Sequence, residues 1–332
     1  PVLGANIFYR GSQTEDGQPI PFSAPHAIVE HGGVRLGVIG IIGLDARSVI
    51  LPSFVEQLEF TDPAEAIQRS IDEIRDDVDL IVVLAHQGKT GPMQADAENR
   101  PEVQRDFETD IELCGAVPEI DVLLGGHAHR GIEEPYVHPE TGCIITQTYG
   151  FGTRLGFLRL RIDPDKRQVV SHEGELLKVW SDEHEPHPIM KAKMDAYRVG
   201  VSALADRVVG HLSAPLSRVY NGESALGNFT TDVLRKRTGA DIAVTNAGGL
   251  RADIDQGPVT AGDVHDALPF FNMVVTVGMS GQQVKDMLEQ GLTLERGMLQ
   301  ISGLTLRHDP DAERGRRLVE VTVGGKPLEQ DQ

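Results

Sequence analysis

Runs dominated by Val, Ile and Leu over Val34–Ile42 (VRLGVIGII) and Val78–Ala85 (VDLIVVLA) set the first expectation. Segments this apolar read as strands buried on both faces of a largely parallel sheet. Between them the hydrophobic period changes, with Ile67, Ile71 and Ile74 recurring at helical spacing. Asp62 stands where an N-cap belongs and Pro63 at the first helical position. A third apolar run, Asp121–Leu124, leads into GGHAHR, and Cys143–Thr148 and Leu155–Ile162 read as further strands. Strand and helix patterns that alternate in this way predict an α/β layered fold.

At His184–Pro188 the composition turns to acidic, histidine and proline residues, and Ile189–Val209 reads as one long helix. That change predicts a first domain over 1–185, an interdomain helix over 186–210 that could act as a hinge, and a second domain over 211–332. The second half repeats the α/β alternation: a helix near Ser224–Thr238, a strand at Asp241–Thr245, a glycine turn at Asn246–Arg251, the apolar segment PFFNMVVTV, and a helix from Gln282. LQISGLTLRHD and RLVEVTVGG read as a closing β meander.

Length and composition support this division, since 332 residues suit two domains with their own cores. No run approaches the roughly 18 apolar residues a membrane span needs. With 50 acidic against 31 basic residues the formal net charge is -19, which argues against a nucleic-acid polymer as partner. A small anionic ligand stays open where metals or arginines oppose the wider field. Cys114 and Cys143, each flanked by apolar residues, read as buried free thiols rather than a bridge. The opening PVLGANIFY has no basic or apolar leader pattern and reads as a mature or truncated start.

The candidate chemistry lies at strand ends. His86 follows one buried strand, and His127 and His129 follow another, where open α/β sheets bind ligands. Gly125 and Gly126 would let the backbone turn sharply, and the i, i+2 spacing would bring two imidazoles into one cavity. Imidazole suits zinc, manganese, iron or cobalt, and two such ions could clamp the oxygens of a displacement at phosphorus. His86 alone would read as an ordinary strand-end histidine. The other nine histidines, His138 among them, read as surface residues. Asp45, Asp79 and Asp121 lie near strand ends without a convincing metal motif.

In the second half, TNAGGLR sets Asn246, Gly248, Gly249 and Arg251 in one turn, where glycines admit a ligand and Arg offers planar bonds to phosphate. ALPFFN adds Phe270 and Asn272, an aromatic face and an amide that could stack on and orient a nucleobase. The plainer readings are a strand-to-loop turn with a surface Arg and, for Phe271 in particular, core packing.

These blocks in order, with ANI, GVRLGVIGIIG, LIVVLAHQG, IDVLLGGHAH, ESALGNFTTDVLRKRTGADIAVTNAGGLR, ALPFFNMVVTV and LQISGLTLRHDP, resemble the metallophosphoesterase 5'-nucleotidase family, which includes UDP-sugar hydrolases and 2',3'-cyclic phosphodiesterases. The resemblance implies a four-layer α/β/β/α metallophosphoesterase sandwich, here truncated, followed by an α/β nucleotide-specificity domain. It implies two divalent ions, zinc, manganese or similar, with His86 and His127 on one and His129 on the other. Asn246 and Arg251 would contact the nucleotide, Phe270 would stack on the base, and Arg218 is the local candidate for a further phosphate contact. The family's opening motifs, an Asp-x-His block, a Gly-Asp block and a GNHE block that carries a catalytic histidine, are absent from this sequence. The chain therefore reads as incomplete for catalysis.

The resemblance further implies a periplasmic or extracellular protein. The competing expectations are a non-catalytic nucleotide- or nucleoside-binding protein and a sulfur-compound hydrolase of similar architecture. TNAGGLR and PFFN favour nucleotides over the latter.

Overall fold

The computed structural model describes residues 2–88, 107–163, 165–180, 182–270, 272–294 and 297–329, so Phe271 lies outside the described residues. The described residues divide into two compact units, one comprising 2–88 and 107–180 and the other 182–329.

The first unit contains, in chain order, β1 (Ile7–Gln13), β2 (Pro19–Pro21), β3 (His26–His31), β4 (Val34–Ile42), the single turns α1 (Ala46–Val49) and α2 (Pro52–Val55), β5 (Leu58–Phe60), α3 (Pro63–Ile74), β6 (Leu80–Gln87), α4 (Glu108–Ala116), β7 (Val122–His127), β8 (Tyr136–Val137), β9 (Ile144–Gln147), β10 (Arg154–Asp163) and β11 (Gln168–Lys178). Its main sheet has the order β3-β4-β6-β7-β9-β8. The four strands β4, β6, β7 and β9 are parallel, with antiparallel β3 and β8 at the edges. Helix α3 starts as its sequence dictates: the Asp62 side chain accepts from the Glu65 N–H, and Pro63 opens the first turn. Its Ile67, Ile71 and Ile74 then pack with Ile39, Ile81, Val83, Leu123 and Ile145 in the core.

Among the described residues, only one face of this sheet is covered to that degree. Leu84 and Leu124 point the other way and are 40% and 36% exposed, which corrects the expectation of strands buried on both sides. A run of apolar residues records hydrophobicity on both faces of a strand and cannot show what is packed against each. The first 31 residues, which carry no strong period, form β1 to β3, with β1 paired to both β2 and β5.

The second unit contains α5 (Pro188–Ala205), β12 (Val208–Leu212), α6 (Ala225–Thr238), β13 (Ala243–Asn246), β14 (Gly257–Thr260), α7 (Ala261–Ala267), α8 (Gly281–Gly291), β15 (Leu299–Ser302), β16 (Leu304–His308), β17 (Leu318–Val323) and β18 (Lys326–Pro327). The long helix ends at Ala205, before the predicted Val209. Val208 and Val209 instead join β12, which pairs antiparallel with β14, because β-branched residues with a strand partner within reach favour the sheet. The closing meander takes the form β16-β17-β18, and β13 pairs with β15.

A buried amide ties α6 to β15. Gln300, 1% exposed, accepts from the backbone N–H and hydroxyl of Ser224 and donates to the carbonyls of Gly222 and Met298. The same Ser224 hydroxyl caps α6 by accepting from Gly227 N–H.

Candidate functional site

The histidines sit at the carboxyl edge of the parallel sheet, and strand register places them there. Ile42 lies opposite His86, His86 opposite Gly126, and Gln87 opposite His127. The rings of His86 and His127 have centroids 4.9 Å apart. Asp45, in the turn after β4, brings a carboxylate oxygen to 3.3 Å from His127 Nε2. The Gly43 N–H donates to the His86 carbonyl and anchors that turn. Desolvation lowers the His86 pKa, the nearby His127 and His129 act in the same direction, and Asp45 opposes them. The neutral imidazole, the form that binds metals, is thereby favoured.

The sharp turn is made by the histidines themselves. His127 has φ 73° and His129 φ 53°, both in the left-handed region. The Ala128 N–H donates to the Gly126 carbonyl at 2.9 Å, which closes a γ-turn of the rarer positive-φ form around His127. Gly125 and Gly126 belong to β7, and neither has a positive φ, which corrects the expectation that they supply the turn. Gly125 is needed for space: a Cβ there would come within 2.7 Å of Gln147 Nε2 and closer still to Asp110 Oδ2. Gly150 gives His129 similar room, since a Cβ would lie 2.7 Å from its Cε1. The His129 ring meets Phe151 edge-on at 5.4 Å, and Phe151 itself has φ 62°.

Behind these loops lies a buried polar group that the sequence reading missed. Asp110 on α4 accepts from Gln87 Nε2 at 3.0 Å and from Gln147 Nε2 at 3.3 Å, and Gln147 Oε1 accepts from the Arg130 N–H at 3.1 Å. Burial pushes the Asp110 pKa up to about 6, while the two amide donors pull it down. Between about pH 4 and pH 6 the folded chain holds a proton that the unfolded chain releases, so stability falls as pH rises through that window. The full effect is on the order of 3 kcal/mol. In urea unfolding the parent protein should lose about that much stability relative to Asp110→Asn between pH 4 and pH 7. A pH-independent difference between the two proteins would exclude this assignment.

Two further sequence expectations need correction. Cys114 on α4 and Cys143 before β9 form a disulfide across a Cα separation of 6.1 Å, so they are not free thiols. Apolar flanks predicted burial correctly but could not show that the two cysteines face each other. His138 is buried, 8% exposed, and its Nδ1 accepts from the Glu140 and Thr141 N–H groups. It closes a turn and is not a surface residue.

In the second unit, Asn246 ends β13 and Ala247–Gly249 form a short 3-10 turn. The Asn246 side chain lies over Gly249, where an added Cβ would be 3.3 Å from its Oδ1. Arg251 donates to the Gly248 carbonyl at 3.2 Å, and its guanidinium carbon stands 5.7 Å from the Phe270 ring centroid. Phe270 is 52% exposed and Asn272 is also exposed. Arg218 is turned inward: its side chain is 12% exposed, its Nε lies 3.4 Å from Asp253 Oδ1, and its backbone N–H donates to the same oxygen.

Among the described residues, no group of three or more His, Cys, Asp or Glu side chains is arranged to hold a metal ion. The donors fit a divalent metal in kind, with neutral imidazole at His86 and a carboxylate beside His127, and fall short in number. Asp45 gave only a weak signal in the sequence. Gln87 and Gln147 could have been noticed as polar residues closing apolar stretches, whereas Asp110 is one acid among several in FETDIEL, and nothing in the sequence links the three to one another.

Residues 208–332 match the family described as 5'-nucleotidase, C-terminal domain. The chain is 29% identical over 316 residues to the trifunctional nucleotide phosphoesterase protein YfkN of Bacillus subtilis, covering 90% of this chain and 20% of that protein. It is 24% identical to a 5'-nucleotidase of Vibrio cholerae, covering 100% of this chain and 64% of that one. A crystal structure of a 5'-nucleotidase precursor from Thermus thermophilus superposes with a TM-score of 0.80 at 28% identity, covering 100% of this chain and 66% of that one. The chain thus spans less than two thirds of each of these proteins. Its second domain matches the 5'-nucleotidase C-terminal domain, and along its whole length the chain is similar to 5'-nucleotidases.

Proposed function

We propose that this chain serves the metal-dependent hydrolysis of nucleotide phosphate esters, as part of a 5'-nucleotidase-like phosphomonoesterase. The observation that carries the proposal is the arrival of His86, His127 and His129 at one carboxyl edge of the parallel sheet, with Asp45 beside them. His86 and His127 would hold one divalent ion and His129 a second, zinc, manganese or similar. Such ions polarise a phosphoryl oxygen and lower the pKa of water. His127 is oriented by its γ-turn and by Asp45, and a partner on the second ring nitrogen is what commonly fixes a ligand imidazole.

Recognition of the substrate falls to the second unit. The Arg251 guanidinium already stands over the Phe270 ring at cation–π distance, which places a cationic and an aromatic group side by side. Asn246 and Asn272 would read base edges, Gly248 and Gly249 would admit the ligand to the backbone, and Arg218 would stand near its phosphate. Nucleoside monophosphates are the first substrates to test, and UDP-sugars and cyclic nucleotides the next. The disulfide supports a periplasmic or extracellular setting, where such bridges persist.

Because the metal donors fall short, this polypeptide is expected to bind nucleosides and to release no phosphate by itself. Calorimetry with adenosine should show binding that weakens roughly 10- to 100-fold in Phe270→Ala, the usual worth of a stacked base. Phosphate release from AMP with Mn²⁺ or Zn²⁺ should appear only when the family's opening metal motifs are supplied on an N-terminal extension. Adenosine binding with no hydrolysis in either chain would favour a non-catalytic nucleotide- or nucleoside-binding protein. Absence of both would reject the nucleotide assignment.

A further inference from the structure

We propose that Asp110 is a positioning residue that acts through Gln87 and Gln147 to hold the His127–Arg130 segment in its left-handed conformation. Its relevance to chemistry rests on reading those histidines as metal ligands. Three observations support it. The first is the chain of contacts: the Asp110 carboxylate takes one amide donor on each oxygen, from the end of β6 and from the end of β9, and Gln147 passes the constraint on to the Arg130 N–H. The second is the room made for it, since Gly125 leaves the space that Asp110 and Gln147 fill. The third is the strain it opposes. Two non-glycine residues in the left-handed region, at φ 73° and 53°, persist only where surrounding bonds fix them.

A carboxylate is the side chain suited to this place, because it alone offers two acceptor oxygens and no donor. Both of its partners are also committed elsewhere. Gln87 Nε2 reaches the Thr109 carbonyl at 3.3 Å, and Gln147 Oε1 holds the Arg130 N–H. Neither amide can flip to suit a changed residue 110 without losing its other bond. Asp110→Asn therefore sets one NH₂ against another: it drives Gln147 to turn its own NH₂ onto Arg130 N–H, or Gln87 to turn its oxygen onto the Thr109 carbonyl.

The same logic supplies a rescue. In Asp110→Asn with Gln147→Glu, the new amide donates to the new carboxylate, that carboxylate's other oxygen accepts from Arg130 N–H, and Gln87 still donates to residue 110. Every pairing is restored with the net charge unchanged.

The test is amide hydrogen exchange on the full chain. Asp110→Asn should speed exchange at Ala128 and Arg130 roughly tenfold relative to Val83 and Leu123 in the strands, as expected for loss of a buried hydrogen bond. The double variant should return both amides to within about threefold of the parent. Unchanged Arg130 exchange in Asp110→Asn, uniform acceleration across the strands, or failure of the double variant to restore protection would each overturn the proposal. Gln147→Leu gives an independent arm, with the same selective loss at Arg130 expected. Calorimetry with Zn²⁺ alone, on the chain extended through the family's opening metal motifs, judges the metal reading separately: rescue of exchange together with no Zn²⁺ binding by that extended chain upholds the clamp and removes the metal assignment.

Discussion

Gly227→Ala is expected to destabilise the second unit by about 3 kcal/mol, although replacing a glycine inside a helix with alanine ordinarily stabilises by up to about 1 kcal/mol. The reversal comes from Gln300. An added Cβ at position 227 would overlap Gln300 Oε1 and lie 2.5 Å from its Cδ and Cγ. The oxygen cannot yield, because Ser224 holds it through both N–H and hydroxyl, and the amide nitrogen is fixed by two carbonyls. Expelling the side chain would leave several buried polar groups unpaired, each at about 1–3 kcal/mol. Thermal unfolding of the variant is the measurement, and a midpoint at or above the parent's would show that the amide is not locked. Gly227→Ala combined with Gln300→Ala should be less damaging than the two single changes summed, since the second removes what the first collides with.

Removing the Cys114–Cys143 bridge should cost the first unit a similar amount. The bridge closes a loop of 29 residues, for which chain entropy alone gives about 3–4 kcal/mol. Cys114→Ala with Cys143→Ala should lower the urea midpoint of that unit accordingly, and reductant should have no further effect on the double variant. If reductant leaves the parent's midpoint unchanged, the bridge is either absent in solution or energetically idle. The two cysteines lie on α4 and just before β9, the elements that also carry Asp110 and Gln147. Loss of the bridge should therefore speed exchange at Arg130 as well as lower stability.

The frame of the fold was legible because its signals are local and redundant. Val34–Ile42 and Ile67, Ile71 and Ile74 each announce an element through their own spacing, and Asp62 caps its helix with a bond three residues away. The positions of His86, His127 and His129 followed from where strands end. What failed to show depended on pairs distant in sequence. Gln87, Asp110 and Gln147 come from three elements, and no periodicity relates them. Cys114 and Cys143 looked alike whether bridged or free. Gly125 illustrates the limit best: a glycine required for space and one required for a turn are the same letter, and only its neighbours distinguish them.

The left-handed backbone at His127 also changes how a substitution there must be interpreted. Its Cβ already sits in a conformation that costs roughly 1–2 kcal/mol for residues other than glycine. Glycine at 127 would remove the imidazole and relieve that cost in the same step, so the loss of the ring would be partly masked. Alanine keeps the Cβ and its strain. The comparison of histidine with alanine therefore approaches the ring's own contribution, and that of alanine with glycine measures the backbone. A variant of this loop that seems harmless as glycine and damaging as alanine would be reporting the peptide geometry beneath the side chain.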